Sequence, residues 1–298
     1  MKILLTGANG FLGHYLTGQL LQKGYEVIAT GKGECRLPFK DHKNFRYISM
    51  DFTEPFEVHD VFEKYTPEVV VHAGALSRVD ECEKNQWEAY KANVEGTITM
   101  LINAEAQRSF FIFISTDFIF DGAKGMYKEE DDPGPVNFYG KTKREAEEAV
   151  MEYEHDWAIV RTILVYGDPL SGKDNILTNT RKKLEKGEEY KVVSDQLRTP
   201  TYVEDLASAI VSVIERKATG IYHIGGAEIV SPYQMACAVA DHLKLDRSLI
   251  KEATEANFSQ PAKRPLKTGF NIDKAKKKLG YSPISFSEGL QKTFASQK

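Results

Sequence analysis

Hydrophobic positions along the first half of the chain follow two alternating rhythms. Short unbroken apolar runs are followed by segments whose apolar residues recur every three or four positions. Unbroken runs predict strands buried on both faces, and the longer spacing predicts amphipathic helices. Together they describe repeated βαβ units around a parallel sheet. Strands are expected at Ile3 to Leu5, Glu26 to Thr30, Phe45 to Met50, Val69 to His72, Phe110 to Ile114 and Trp157 to Arg161. Leu12, Leu16 and Leu20 mark the first helix, closed by Lys23-Gly24, and Val58, Val61, Phe62 and Tyr65 mark the next. A long helix is expected over about Trp87 to Gln107, and another over Tyr139 to Tyr153 after a glycine- and proline-rich loop.

Beyond residue 165 the rhythm weakens. Helices are expected at Asn175 to Lys186, Glu204 to Glu215 and Pro232 to Leu243, the last opened by the capping pair Ser231-Pro232. Short strands are expected at Lys191 to Val193 and Ile221 to Ile224. The predicted fold class is α/β: a Rossmann-type doubly wound parallel sheet with a smaller C-terminal α/β substrate lobe. Residues 1–165 are expected to form the main domain, and 166–298 the lobe, interleaved with it.

Composition narrows the function by exclusion. Against 39 basic residues stand 43 acidic ones, a net charge of −4, so nothing points to nucleic acid or to an anionic membrane. Cys35, Cys82 and Cys237 lie far apart, which suits a reducing compartment rather than a disulfide framework. The first apolar run breaks at once into glycine, and no stretch is long enough to span a bilayer. A soluble cytoplasmic protein is expected.

Candidate chemistry begins at Thr6-Gly7-Ala8-Asn9-Gly10-Phe11-Leu12-Gly13, between the first strand and the first helix. Glycines let the backbone approach a pyrophosphate, and the helix N-terminus offers free N–H groups and a favourable dipole. Gly7, Asn9, Gly10, Phe11, Leu12 and Gly13 are the candidate cofactor residues here. The second strand ends in Ala29-Thr30-Gly31-Lys32, with no carboxylate for a ribose 2′-hydroxyl; Lys32, with Arg36 nearby, suits a 2′-phosphate. NADPH is therefore favoured and NADH left open, the plain alternative for Lys32 being a surface lysine. Asp51 and Phe52 follow the third strand toward the adenine, and Ala73-Gly74-Ala75 gives a small-residue approach after the fourth.

Tyr139 and Lys143 stand four residues apart, so phenol and ammonium share one helix face. An ammonium lowers the pKa of a neighbouring phenol, making Tyr139 a candidate proton donor to a carbonyl and Lys143 its tuning cation. Such a pair is also common on exposed helices. Thr116 ends the fifth strand, where open α/β sheets place their sites, and can orient the carbonyl oxygen; its plain alternative is a turn cap. Asn93 is polar in mid-helix and is expected to hold a water or backbone group behind the lysine.

TGANGFLG, HAGA, ANVEGT, STDFIFDG and YGKTK, with RTILVYG, the segment 193–201 and Lys263-Arg264-Pro265, together resemble an extended short-chain dehydrogenase/reductase. The likeness is closer still to the dTDP-4-dehydrorhamnose reductase family and spans essentially the whole chain. It implies hydride transfer from NADPH to the 4-keto group of a nucleotide-linked deoxysugar, as in dTDP-rhamnose biosynthesis. It also implies catalysis by Thr116, Tyr139 and Lys143. Ser77, Val79 and Phe118 would border the sugar, with Asn175 and Arg198 toward the nucleotide diphosphate. A homodimer is the assembly considered. Tyr15 stands where some members carry a metal-binding carboxylate, so no metal is expected, and Leu164 replaces an aromatic, which leaves the sugar open. The rival readings are a sugar-nucleotide epimerase or dehydratase of the same superfamily, and a regulatory subunit resembling the methionine adenosyltransferase β subunit.

Overall fold

The computed structural model describes residues 1–170 and 174–295. Its strands are β1 (Lys2–Thr6), β2 (Glu26–Gly31), β3 (Phe45–Ser49), β4 (Val69–His72), β5 (Phe110–Thr116), β6 (Trp157–Thr162), β7 (Val165–Tyr166), β8 (Tyr190–Val193), β9 (Thr201–Tyr202), β10 (Gly220–Ile224) and β11 (Ile250–Ala253). Its helices are α1 (Phe11–Gln22), α2 (Pro55–Tyr65), α3 (Val79–Lys84), α4 (Gln86–Tyr90), α5 (Gly96–Gln107), α6 (Phe138–Met151), α7 (Ile176–Glu185), α8 (Val203–Arg216), α9 (Pro232–Leu243), α10 (Asp273–Leu279) and α11 (Phe286–Ala295).

Seven strands form one sheet in the order β10-β6-β5-β4-β1-β2-β3, every pairing parallel. Two cores explain why its strands read as unbroken apolar runs. On one face Ile3, Leu5, Val27, Val71, Ile112 and Val160 are buried under α1 and α8. On the other Leu4, Ile28, Val70, Phe111, Phe113 and Ile159 meet side chains of α2, α5 and α6. β1, β2, β4, β5 and β6 thus alternate with period two between two dry layers, and none of them needs a polar face.

The structure differs from the sequence expectation at one long helix. The expected helix over 87–107 is broken: α4 passes through a π-helical turn at Lys91–Glu95 before α5 begins. That wider turn holds Asn93, whose carboxamide accepts from the Leu76 N–H and donates to the Leu76 carbonyl and to Thr142. Beyond residue 165 the chain interleaves with the main sheet. β10 returns to pair with β6 at the sheet edge, and α8 packs on α1, because both carry enough apolar surface to extend the main core. The lobe is built from α7, α9 and α11 with the two-stranded pairs β8–β11 and β7–β9. Ser231 caps α9 with the expected proline at the first turn, and Gln234 completes the capping box.

Phe111 is wholly buried between sheet and helices, whereas Trp87 is largely exposed. Phe111→Ala is expected to cost about 3–5 kcal/mol in urea unfolding, and Trp87→Ala to stay within about 0.5 kcal/mol.

Candidate active site

The glycine turn leaves β1 with Gly7 at φ +67°, and a Cβ there would lie 2.8 Å from the Ala73 carbonyl oxygen. A Cβ on Gly13 would lie 2.5 Å from Ala8, and one on Gly74 2.5 Å from the Phe52 ring. Those contacts require glycine and draw β1, β4 and the start of α1 together. The first turn of α1 has no side-chain cap and no acidic residue, so its N–H groups face an anion unopposed. The cradle fits a dinucleotide pyrophosphate. Asn9 is spent within the protein: it accepts from the Arg36 N–H and donates to Tyr47 and the Glu34 carbonyl, tying the turn to the ends of β2 and β3. Lys32 is exposed and pairs with Asp51 at 2.6 Å, while the Arg36 guanidinium reaches the Asn9 carbonyl.

Opposite this turn stands the N-terminus of α6. Asn137 caps it by accepting from the Gly140 N–H and donates to the Lys263 carbonyl. A Cβ on Gly140 would lie 2.1 Å from the Phe118 carbonyl oxygen. Glycine next to Tyr139 therefore lets the helix press onto the turn after β5. The Tyr139 phenol lies beside the Thr116 side chain. Thr116 also caps the short turn after β5, so the capping alternative and the site role coexist. Phe118 stacks edge-on against Tyr139, and Val79 and Leu76 complete the same apolar cluster. Ser77 lies exposed in the adjoining loop.

One turn along α6, Lys143 is buried. Its Nζ donates to the Ile114 carbonyl at 2.9 Å and lies 3.7 Å from the centre of the Phe113 ring. Burial drags its pKa down to about 7, and Glu147 opposes that fall. Tyr139 departs from expectation. Burial pushes its phenol well above the ordinary range, and Thr116 beside it only moderates the rise. The phenol is thus held protonated, which is the form a proton donor needs.

Two residues expected toward the nucleotide diphosphate make contacts within the protein. Arg198 is buried, and its guanidinium donates to the Leu197, Leu266 and Pro265 carbonyls and lies 3.5 Å from Asp117. With its N–H groups on these partners, it clamps the lobe to the end of β5. Asn175 is the N-cap of α7, accepting from Leu177 and Thr178 and donating to the Gly167 carbonyl. Tyr15 donates to the Asp168 carbonyl. Among the described residues no group of three His, Cys, Asp or Glu side chains is placed to hold a metal, and no helix is long and apolar enough to cross a membrane.

Sequence reading passed over three buried charges near the site. Asp117 accepts from Thr268 and Thr116 and faces Arg198; burial raises its pKa while Arg198 lowers it. Glu147 and Arg161 form an ion pair at 2.7 Å, both nearly inaccessible. The signals were present: Glu147 continues the four-residue spacing from Tyr139 and Lys143, and Arg161 is a cation inside an apolar strand.

A parallel doubly wound sheet, a glycine turn at its first strand and a tyrosine–lysine pair beside a strand-end threonine define a dinucleotide-binding reductase architecture. The family model described as "RmlD substrate binding domain" matches residues 1–298, and the chain belongs to that family. It is a dTDP-4-dehydrorhamnose reductase-like protein. The spore coat polysaccharide biosynthesis protein SpsK of Bacillus subtilis (strain 168) is 34% identical over 97% of this chain and 95% of its own. Methionine adenosyltransferase 2 subunit beta of Bos taurus is 30% identical over 86% of this chain and 76% of its own. Among solved structures, a dTDP-4-dehydrorhamnose reductase from Clostridium acetobutylicum ATCC 824 superposes with a TM-score of 0.88 at 32% identity, covering 100% of this chain and 99% of that one. The Bacillus anthracis dTDP-4-dehydrorhamnose reductase in complex with NADP gives 0.87 at 26% identity, with 99% of each chain covered.

Since Lys143 sits near 7 against about 10.4 in an unfolded chain, the native state binds fewer protons than the unfolded state between those values. The penalty of burying the ammonium is full below pH 7 and fades as pH rises. Lys143→Met is therefore expected to match or exceed wild-type stability at pH 6, with the margin shrinking toward pH 9 in parallel denaturant titrations.

Proposed function

We propose that the protein reduces the 4-keto group of a nucleotide-linked 6-deoxysugar, in the manner of a dTDP-4-dehydrorhamnose reductase, with NADPH as the reductant. The observation that carries this reading is the buried Tyr139 phenol beside Thr116, with Lys143 buried one turn behind it. Bound NADPH supplies the hydride that reaches the sugar carbon. Thr116 orients the carbonyl oxygen, and Tyr139 delivers its phenolic proton to that oxygen as the keto group becomes a hydroxyl. Lys143, charged at and below neutrality, stabilises the phenolate left behind. Ser77, Val79 and Phe118 border the sugar. Gly7, Gly10, Phe11, Leu12 and Gly13 hold the pyrophosphate, and Ala73, Gly74 and Ala75 flank the cofactor. Lys32 and Arg36 receive the 2′-phosphate, with Asp51 and Phe52 at the adenine edge; Asn9 and Asn93 act indirectly, by fixing the loops around the cofactor.

A second reading, a non-catalytic partner subunit, is favoured by the likeness to methionine adenosyltransferase 2 subunit beta. Purified protein with NADPH and dTDP-4-keto-6-deoxyglucose or its 5-epimerised form separates the two. Turnover seen as loss of nicotinamide absorbance, cut about 10²–10⁴-fold by Tyr139→Phe, supports the reductase. Unchanged turnover in that variant contradicts the mechanism, and no turnover on a panel of keto-sugar nucleotides favours the partner subunit. Lys32→Ala is expected to raise KM for NADPH about tenfold, the loss of one charge-assisted contact of about 1.5 kcal/mol, while leaving KM for NADH within about twofold.

A further inference from the structure

The ion pair Glu147–Arg161 has no place in the proton transfer, yet it lies directly behind it. Tyr139, Lys143 and Glu147 follow at four-residue intervals and form one buried stripe of α6. Arg161 reaches the stripe from β6: Nε and Nη2 engage both oxygens of Glu147 at 2.7–3.2 Å. Its Nη1 donates to the Glu129 carbonyl and to His223 Nε2 on β10. His223 Nδ1 is 3.0 Å from the Tyr127 carbonyl, an acceptor only, so Nδ1 carries the proton and Nε2 the lone pair. Burial, then Arg161, takes the His223 pKa down to about 3, so this ring stays neutral.

Such a pair is an expensive way to fill a core. Well-packed apolar side chains in its place are commonly neutral or stabilising. The groups facing Lys143 show what the charge does there. Tyr139 and Glu147 lie on its own helix, Arg161 on β6, Asp117 just after β5, and His72 on β4, itself neutral because burial and then Lys143 take its pKa to about 3. Asp117 is engaged by Arg198 and Thr268. Glu147 is the carboxylate that acts on the lysine.

We propose that Glu147, held by Arg161 and His223, is a positioning residue whose negative charge keeps Lys143 protonated during reduction. The inference rests on the proposed role of Lys143 in the site. Removing the carboxylate takes the negative charge from behind the lysine, and removing the guanidinium leaves that carboxylate uncompensated; these perturb the lysine in opposite directions.

The test is the alkaline limb of kcat for keto-sugar reduction with saturating NADPH, measured from pH 5.5 to 9.5. Glu147→Gln is expected to move the limb at least about one unit toward acid, lowering the rate about tenfold at pH 8 but less than about threefold at pH 6. Arg161→Gln moves it toward alkali. The double variant, in which no buried charge is stranded, lies between Glu147→Gln and wild type. If a single variant fails to fold, the direction of the other, or of the double variant against wild type, decides alone. Equal losses at every pH, shifts of the same sign in both single variants, or an unmoved limb in the double variant overturn the inference. Lys143→Met tells the two readings apart. Retained turnover in it removes the catalytic reading itself, whereas lost turnover with an unordered limb removes only the role of Glu147.

Discussion

Burying the Lys143 ammonium is the constraint around which the rest of the site is arranged. A cation in a dry interior demands compensation from every side. The chain supplies the Ile114 carbonyl, the face of Phe113 and the carboxylate of Glu147, drawn from one strand and one helix. The strand–helix geometry follows from that demand. Gly140 brings the helix against the Phe118 carbonyl, and Asn137 caps it from the side that also grips the Lys263 carbonyl. Thr116 and Tyr139 meet because those contacts fix both backbones. Catalytic geometry and buried-charge compensation are here the same set of contacts.

The lobe is coupled to this centre through a second buried charge. Asp117 follows Thr116 directly and is shared between Thr268, Arg198 and the Thr116 hydroxyl itself. Arg198 in turn gathers the Pro265 and Leu266 carbonyls, so the segment around residues 265–268 is fastened to the end of β5.

Where local physics decides, the chain could be read directly. The alternation of β-branched runs and helical spacing located the six strands of the first half to within two residues, because both sheet faces are dry. Ser231-Pro232 marked the start of α9 because capping is a four-residue event. The glycine turn, Thr116, Tyr139 and Lys143 were legible because each combines a residue type with a fixed place on a strand or helix end. What escaped depends on distant partners. Asn93 was visible as an anomaly, but its π-turn follows from Leu76 and Thr142, which only the fold brings near. The carbonyl partners of Arg198 and Asn175 likewise come from segments that only the fold brings near. β10 lies among the lobe segments in sequence, and only its pairing with β6 places it in the main sheet.

The protonation of Lys143 is the point at which fold and chemistry meet, so its direct titration is the most exacting measurement. Protein carrying ¹³C-labelled lysine, with Lys143→Met to assign the resonance, can be titrated by NMR from pH 5 to 11. A resonance for Lys143 that titrates near pH 7, shifting lower in Glu147→Gln, agrees with a buried ammonium tuned by its own helix. A midpoint near 10.4, the value of a solvated lysine, contradicts it.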